Sequence, residues 1–216
     1  MHSGDGRTFV EVADEASARI ARGLGGGPDG FVVIAQAYES AESPAAYASG
    51  NGTEWFKATT PDWNPVGVAP LGADWVVAEV GPPLDGEEGD TYAPTWVSEN
   101  GLDWAESGRI ALRDMPLSDG SSCREFVSGL TSTGSMVVSS TTLSYPCGEG
   151  NVQTFGASSV TTDGATWTPL SFTVRETAYD EASRGATVTA GLEVASGTLL
   201  VGESGYRATF WFRPAD

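Results

Sequence analysis

One pattern occurs four times in this chain: a small hydroxyl residue, any residue, Asp or Asn, Gly, two further residues, then a large aromatic. The copies are Ser3-Gly4-Asp5-Gly6-Arg7-Thr8-Phe9, Ser49-Gly50-Asn51-Gly52-Thr53-Glu54-Trp55, Ser98-Glu99-Asn100-Gly101-Leu102-Asp103-Trp104 and Thr161-Thr162-Asp163-Gly164-Ala165-Thr166-Trp167. Residue by residue the pattern describes a tight turn. A short carboxylate or amide accepts hydrogen bonds from backbone N–H groups that have no ladder partner, as in an Asx-type turn. The next residue takes positive φ, which glycine does at least cost, and all four copies have Gly there. The hydroxyl adds a local bond, and the aromatic buries a large area between neighbouring units. Recurrence at periods in the forties to sixties calls for a repeat architecture, propeller blades first among them.

The flanking sequence repeats too. A strand carrying the aromatic is expected after each copy, over Thr8 to Val12, Glu54 to Ala58, Asp103 to Glu106 and Thr166 to Phe172. Each unit then has two apolar strands joined by a turn. These are Arg19 to Leu24 with Phe31 to Ile34, Val66 to Leu71 with Trp75 to Ala78, Phe126 to Leu130 with Met136 to Val138, and Val188 to Leu192 with Leu199 to Val201. A third strand leads into the next copy: Ala45 to Ala48, Pro94 to Val97, Ala157 to Val160 and Arg207 to Phe212. Short strands in sets of four describe the blades of a β-propeller. The expected fold is therefore all-β: a single propeller domain, 1–216, of about four four-stranded blades. Its units run over 13–58, 59–107, 108–172, and 173–216 together with 1–12. The first strand and the last can share a blade and close the ring, removing an open edge; a fragment of a larger propeller reads equally well.

With 28 Gly and 12 Pro in 216 residues, the composition suits short strands and tight turns. Ala13 to Arg22 is the best helical candidate, but it runs into Gly23-Leu24-Gly25-Gly26-Gly27-Pro28, which reads as a breaker. That glycine-rich stretch has no Lys and no following helix, which argues against a phosphate cradle. The formal charge of −18 repels phosphate backbones, so nucleic acid and anionic membrane are poor partners. No apolar run reaches the length of a bilayer span, and the start of the chain does not read as a signal peptide. The chain is thus expected either to stay inside the cell or to be a piece of a longer exported protein.

These residues resemble the Asp-box, or BNR repeat, of sialidase-like β-propellers, whose pattern is Ser-x-Asp-x-Gly-x-x-Trp. Here glycine follows the Asp or Asn directly, one residue sooner than in that form. The resemblance implies a propeller with the boxes on one face, in a structural role, and any binding site on the opposite face, where the loops between second and third strands and from blade to blade lie. An enzyme of that family holds its substrate carboxylate with arginines and uses a Tyr–Glu pair. By resemblance, the weak candidates for that role are Arg124, Arg175, Arg184, Arg207, Tyr179, Glu176 and Glu181. The amino-terminal Arg-Ile-Pro of the family is missing, and Phe212-Arg213-Pro214 imitates its counterpart poorly.

The favoured reading is a non-enzymatic binding module that presents a loop face to a protein or glycan, secreted or at a cell surface; the alternative is a sialidase-like glycoside hydrolase. Trp63, Tyr92, Tyr145, Tyr179 and Arg207 are the candidate contacts, although lone aromatics near strand ends more often pack between blades. Asp85-Gly86-Glu87-Glu88-Gly89-Asp90 offers oxygens to calcium but lacks the spacing of a calcium loop, so no cofactor is expected. A zinc site is excluded by two cysteines and a single histidine, His2. Cys123 and Cys147 read as a disulfide before two buried thiols.

Overall fold

A computed structural model of the protein describes residues 19–37, 43–81, 92–116, 122–143, 155–170, 186–204 and 207–215. These residues form strands in four antiparallel sheets and no helix. The first sheet takes β1 (Arg19–Gly27), β2 (Gly30–Ala37), β3 (Ala45–Ser49) and β4 (Phe56–Lys57) in chain order. The second takes β5 (Pro65–Leu71), β6 (Asp74–Glu79), β7 (Tyr92–Ser98) and β8 (Ala105–Ala111) in the same way. In the third, β10 (Ser122–Ser132), β11 (Val137–Leu143), β12 (Phe155–Thr161) and β13 (Thr168–Pro169) follow suit, and a short β9 (Asp114–Pro116) is added beside β10. The fourth contains β14 (Ala186–Val194), β15 (Gly197–Ser204) and β16 (Arg207–Pro214). The first strands, β1, β5, β10 and β14, contact one another in succession, so the sheets are the blades of a β-propeller.

The inner strands share an irregularity that the apolar pattern alone did not reveal. Each carries a β-bulge at the same place in its pairing with the second strand, at Arg22, Val66, Ser128 and Thr189. A bulge bends and twists a strand locally, and its repetition gives all four inner strands the same kink. It also sets a register common to the blades: Val32, Val76, Val138 and Leu199 are equivalent.

Arg19 to Leu24 forms the strand that the repeat predicts rather than the helical alternative over the same residues, and that strand runs on through the glycine-rich stretch, read as a breaker, as far as Gly27. The reason is tertiary. A Cβ on Gly23 would stand 2.8 Å from Gly67 Cα, and one on Gly25 would stand 3.0 Å from the Trp75 ring. The glycines that look like a breaker let β1 lie close against β5 and Trp75. The strand that follows each turn begins one residue after the aromatic, at Phe56, Ala105 and Thr168. Ala13 to Ala18, the copy Ser3-Asp5-Gly6-Phe9 and the strand Thr8 to Val12 lie outside the described residues.

The core sits between blades. Val32, Ile34, Ala46 and Ala48 of blade 1 pack with Val68, Trp75 and Val77 of blade 2. Ala69, Leu71 and Val76 of blade 2 meet Val137 of blade 3, and Val138 meets Val188 and Leu200 of blade 4. Backbone bonds cross the seam between blades 2 and 3 at two places, from Gly72 N to Gly134 O at 2.9 Å and from Val127 N to Val80 O at 3.0 Å. At the third seam the Ser140 hydroxyl donates to Val188 O at 3.0 Å and accepts from Val188 N at 2.8 Å.

Candidate functional site

The strands have two ends, and the described chemistry differs between them. At one end lie the repeated turns. Asn51 Oδ1 accepts from Thr53 N and Glu54 N, both at 2.9 Å, while Ser49 Oγ accepts from Gly52 N at 2.8 Å. Asn100 Oδ1 accepts from Leu102 N at 2.8 Å and Asp103 N at 2.9 Å, and Ser98 Oγ from Gly101 N at 2.8 Å. Asp163 Oδ1 accepts from Ala165 N at 2.9 Å and Thr166 N at 2.7 Å, and Thr161 Oγ1 from Gly164 N at 2.9 Å. The glycines have φ of 73°, 73° and 72°. These backbone N–H donors hold the Asp163 carboxyl well below the usual carboxylate range.

The turns also seat one blade on the one before. Trp104 packs into the seam between blades 1 and 2, and Trp167 into that between blades 2 and 3, where its Nε1 donates to Thr95 Oγ1 at 3.2 Å. Gly164 O accepts from the Ser107 hydroxyl at 2.8 Å. Trp55 instead packs on its own blade, against Ala35, Ala45 and Tyr47. The Asn or Asp oxygen and the hydroxyl that opens each described turn are engaged within the turn itself, leaving the other end of the strands as the candidate site.

At that end blade 3 has a buried carboxylate. Glu125, whose side chain is 1% exposed, accepts at Oε1 from Arg113 Nη2 at 2.5 Å, Thr141 Oγ1 at 3.1 Å and Ala157 N at 3.0 Å, and at Oε2 from Arg113 N at 2.9 Å. Desolvation is the largest single influence on Glu125 and pushes its pKa up. The bonds from Arg113 and Ala157 together outweigh it and hold the carboxyl below its ordinary value, and Glu125 raises that of Arg113 in turn. Glu125 is therefore ionised and saturated with donors, the arrangement of a structural tie between β10, β11, β12 and the segment leaving blade 2.

Blade 2 builds the same end from indoles. Trp63, expected among the candidate contacts, is buried: its Nε1 donates to Pro44 O at 2.8 Å, and its ring stands edge-on to Trp96 at 6.1 Å and Trp104 at 5.5 Å. Glu79 accepts from Trp96 Nε1 at 2.8 Å and from Asn64 N at 3.1 Å. Tyr92, at the start of β7, is half-buried, with the Arg109 guanidinium carbon 4.0 Å from the centroid of its ring. Arg109 also pairs with Glu106 at 3.7 Å, and its side chain is 56% exposed.

Of the remaining candidates, Arg124 lies near the start of β10, its backbone opposite Asp114, and Arg207 begins β16 opposite Ser204. Tyr145, Arg175, Glu176, Tyr179, Glu181, Arg184, Cys147 and the run Asp85 to Asp90 lie outside the described residues, and Cys123 is described in its backbone only, on β10. Sequence reasoning did not single out Glu125 or Glu79. A signal for Glu125 was present, since it alternates with Val127 on an inner strand, an inward position where a carboxylate requires partners.

Among the described residues, no group of three or more His, Cys, Asp or Glu side chains is placed to hold a metal ion, and no helix is long and apolar enough to cross a membrane.

No family model matches this chain, and no curated protein matches it. Among solved structures it superposes on a glycoside hydrolase of the GH130 family of mannoside phosphorylases, which target β-1,2 mannosidic linkages in Candida mannan, at 11% identity and a TM-score of 0.40, covering 84% of this chain and 59% of that one. It also superposes on a glycosyl hydrolase from Bacteroides ovatus at 12% identity and 0.38, with 84% and 59% covered, and on the GH32 β-fructofuranosidase of Bombyx mori at 12% and 0.39, with 91% and 46% covered. The chain thus spans only about half the length of the structures it resembles, and the blade assignment rests on its own strand pairing.

Proposed function

We propose that this chain is a propeller binding module, with residues 1–216 as one domain, whose turn end is scaffold and whose opposite end meets a protein or glycan ligand. In this reading the repeated turn is an Asp-box, one residue tighter than the sialidase-like form, and the protein works outside the cell or at its surface. The observation that carries the proposal is the exposed stack of Arg109 on Tyr92 at the loop end of blade 2. A planar guanidinium fixed on an aromatic ring gives a rigid, amphipathic surface with free N–H donors, suited to a sugar hydroxyl or a carboxylate. The buried carboxylate of blade 3 favours binding over hydrolysis, because Glu125, held below its ordinary value by its donors, does not offer the proton that a glycosidase acid needs.

The test is a glycan-array and calorimetric screen of the whole chain, repeated with Tyr92→Ala. Binding that weakens about tenfold or more with unchanged thermal stability supports the proposal, since a stacked contact is worth on the order of 1 kcal/mol or more. Turnover of aryl glycosides by the purified chain, lost in the same variant, establishes the hydrolase alternative instead.

A further inference from the structure

Of the four asparagines in the sequence, Asn51 alone is followed two positions on by Ser or Thr, in Asn51-Gly52-Thr53. Asn, any residue but Pro, then Ser or Thr is the acceptor triplet for an N-linked oligosaccharide, a bulky and solubilising group that only a surface side chain can carry. Here the triplet lies inside one of the repeated turns, so the hydrogen bonds of that turn decide what the amide is free to do.

Asn51 is exposed, and so are Thr53 and Glu54 beside it. Its Oδ1 is heavily engaged, accepting from Thr53 N and Glu54 N at 2.9 Å, from Thr53 Oγ1 at 2.8 Å and from Ser49 Oγ at 3.3 Å. A planar amide whose oxygen faces the backbone donors must turn its nitrogen away from them, and no described residue accepts from Asn51 Nδ2. A substituent on that nitrogen therefore breaks no hydrogen bond of the turn.

The other two described turns lack this combination. Asn100 Nδ2 donates to Asp103 Oδ2 at 2.9 Å, and the residue two positions on is Leu102; the third turn has a carboxylate, Asp163. Their surroundings are also tighter. A Cβ on Gly101 would stand 2.6 Å from Val32 Cγ2 and one on Gly164 would stand 2.4 Å from Val97 Cγ2, both in the preceding blade, whereas one on Gly52 would come no nearer to Phe31 of its own blade than 3.5 Å.

We infer that Asn51 is an acceptor for an N-linked oligosaccharide, carried on the turn end of blade 1. The inference rests on the extracellular placement proposed above, because the donor, an oligosaccharide joined to a lipid pyrophosphate, meets a chain during export. In the transfer a bond forms between Asn51 Nδ2 and C1 of the first sugar while the C1–O bond to the pyrophosphate breaks. The lipid pyrophosphate leaves with that oxygen, and one Nδ2 proton passes to a base of the transferase. Oδ1 is untouched, so the turn keeps its acceptor. The product sets a hydrophilic group beside Phe31 and Phe56, which are 42% and 61% exposed, at the opposite end of the strands from Tyr92 and Arg109.

The experiment expresses the whole chain behind a cleaved signal peptide in a eukaryotic secretory host. Intact mass is read before and after denaturing treatment with peptide N-glycosidase, in secreted and in cell-retained protein, and position 51 is mapped by peptide mass spectrometry. Wild type is expected to lose mass on treatment and to show aspartate at 51. Thr53→Ala, which leaves both backbone donors to Asn51 Oδ1 in place, is expected to abolish the mass loss, and Thr53→Ser to retain it. A wild type whose mass the enzyme does not change overturns the inference, and so does a mass loss that survives in Thr53→Ala. Protein modified at Asn51 but held in the cell supports the site and counts against the extracellular placement, so the two fail separately.

Discussion

The turn end and the loop end of the same strands were built under different constraints. At the turn end three blades solve one local problem identically, with an amide or carboxylate oxygen taking two N–H groups and a hydroxyl taking a third. At the loop end blades 2 and 3 differ. Blade 2 fills the space with Trp63 and Trp96, and blade 3 with Glu125, Arg113 and Thr141. A local device can be copied because its partners lie within a few residues, whereas the loop end is free to vary because its partners come from distant strands.

The comparison breaks first at the glycines. Gly101→Ala and Gly164→Ala impose positive φ on a side chain and also drive a Cβ into the preceding blade, so each is expected to lose on the order of 3 kcal/mol in urea unfolding. Gly52→Ala meets the same φ but only its own Phe31 at 3.5 Å, and is expected to lose about 1–2 kcal/mol. Equal losses at all three would mean that the turns act locally and do not seat the blades.

Next comes the loop end. Glu125→Ala leaves Arg113 N without its acceptor and removes one of the two acceptors of Ala157 N and of Thr141 Oγ1, and is expected to cost about 2–3 kcal/mol, less than a fully buried ion pair because Arg113 is half-exposed to solvent. Thermal unfolding reads the loss. A neutral result would remove Glu125 as the tie between blade 3 and the segment leaving blade 2.

The smallest effect is on acid sensitivity. Glu125 and Asp163 both have depressed pKa values, so their contributions are fully present above the ordinary carboxylate range near about pH 4 and are lost as the pH falls through the folded values. Asp163→Asn keeps the acceptor oxygen that Asn51 and Asn100 use, and is expected to preserve the turn while flattening the fall in stability on acidification. Urea midpoints measured between neutral and strongly acid pH check this. An unchanged slope would assign the acid sensitivity elsewhere.

The chain by itself determined the all-β class, the four units, the strand order within them and the acceptor role of Asn51, Asn100 and Asp163, because each depends on neighbours close in sequence or on alternation along one strand. Only the tertiary structure decided that Gly23 to Gly27 is a strand pressed on β5, that Trp63 is buried under Trp96 and that Glu125 is ionised inside blade 3. Each of those outcomes turns on which blade lies alongside, and nothing within a few residues of the site encodes that neighbour.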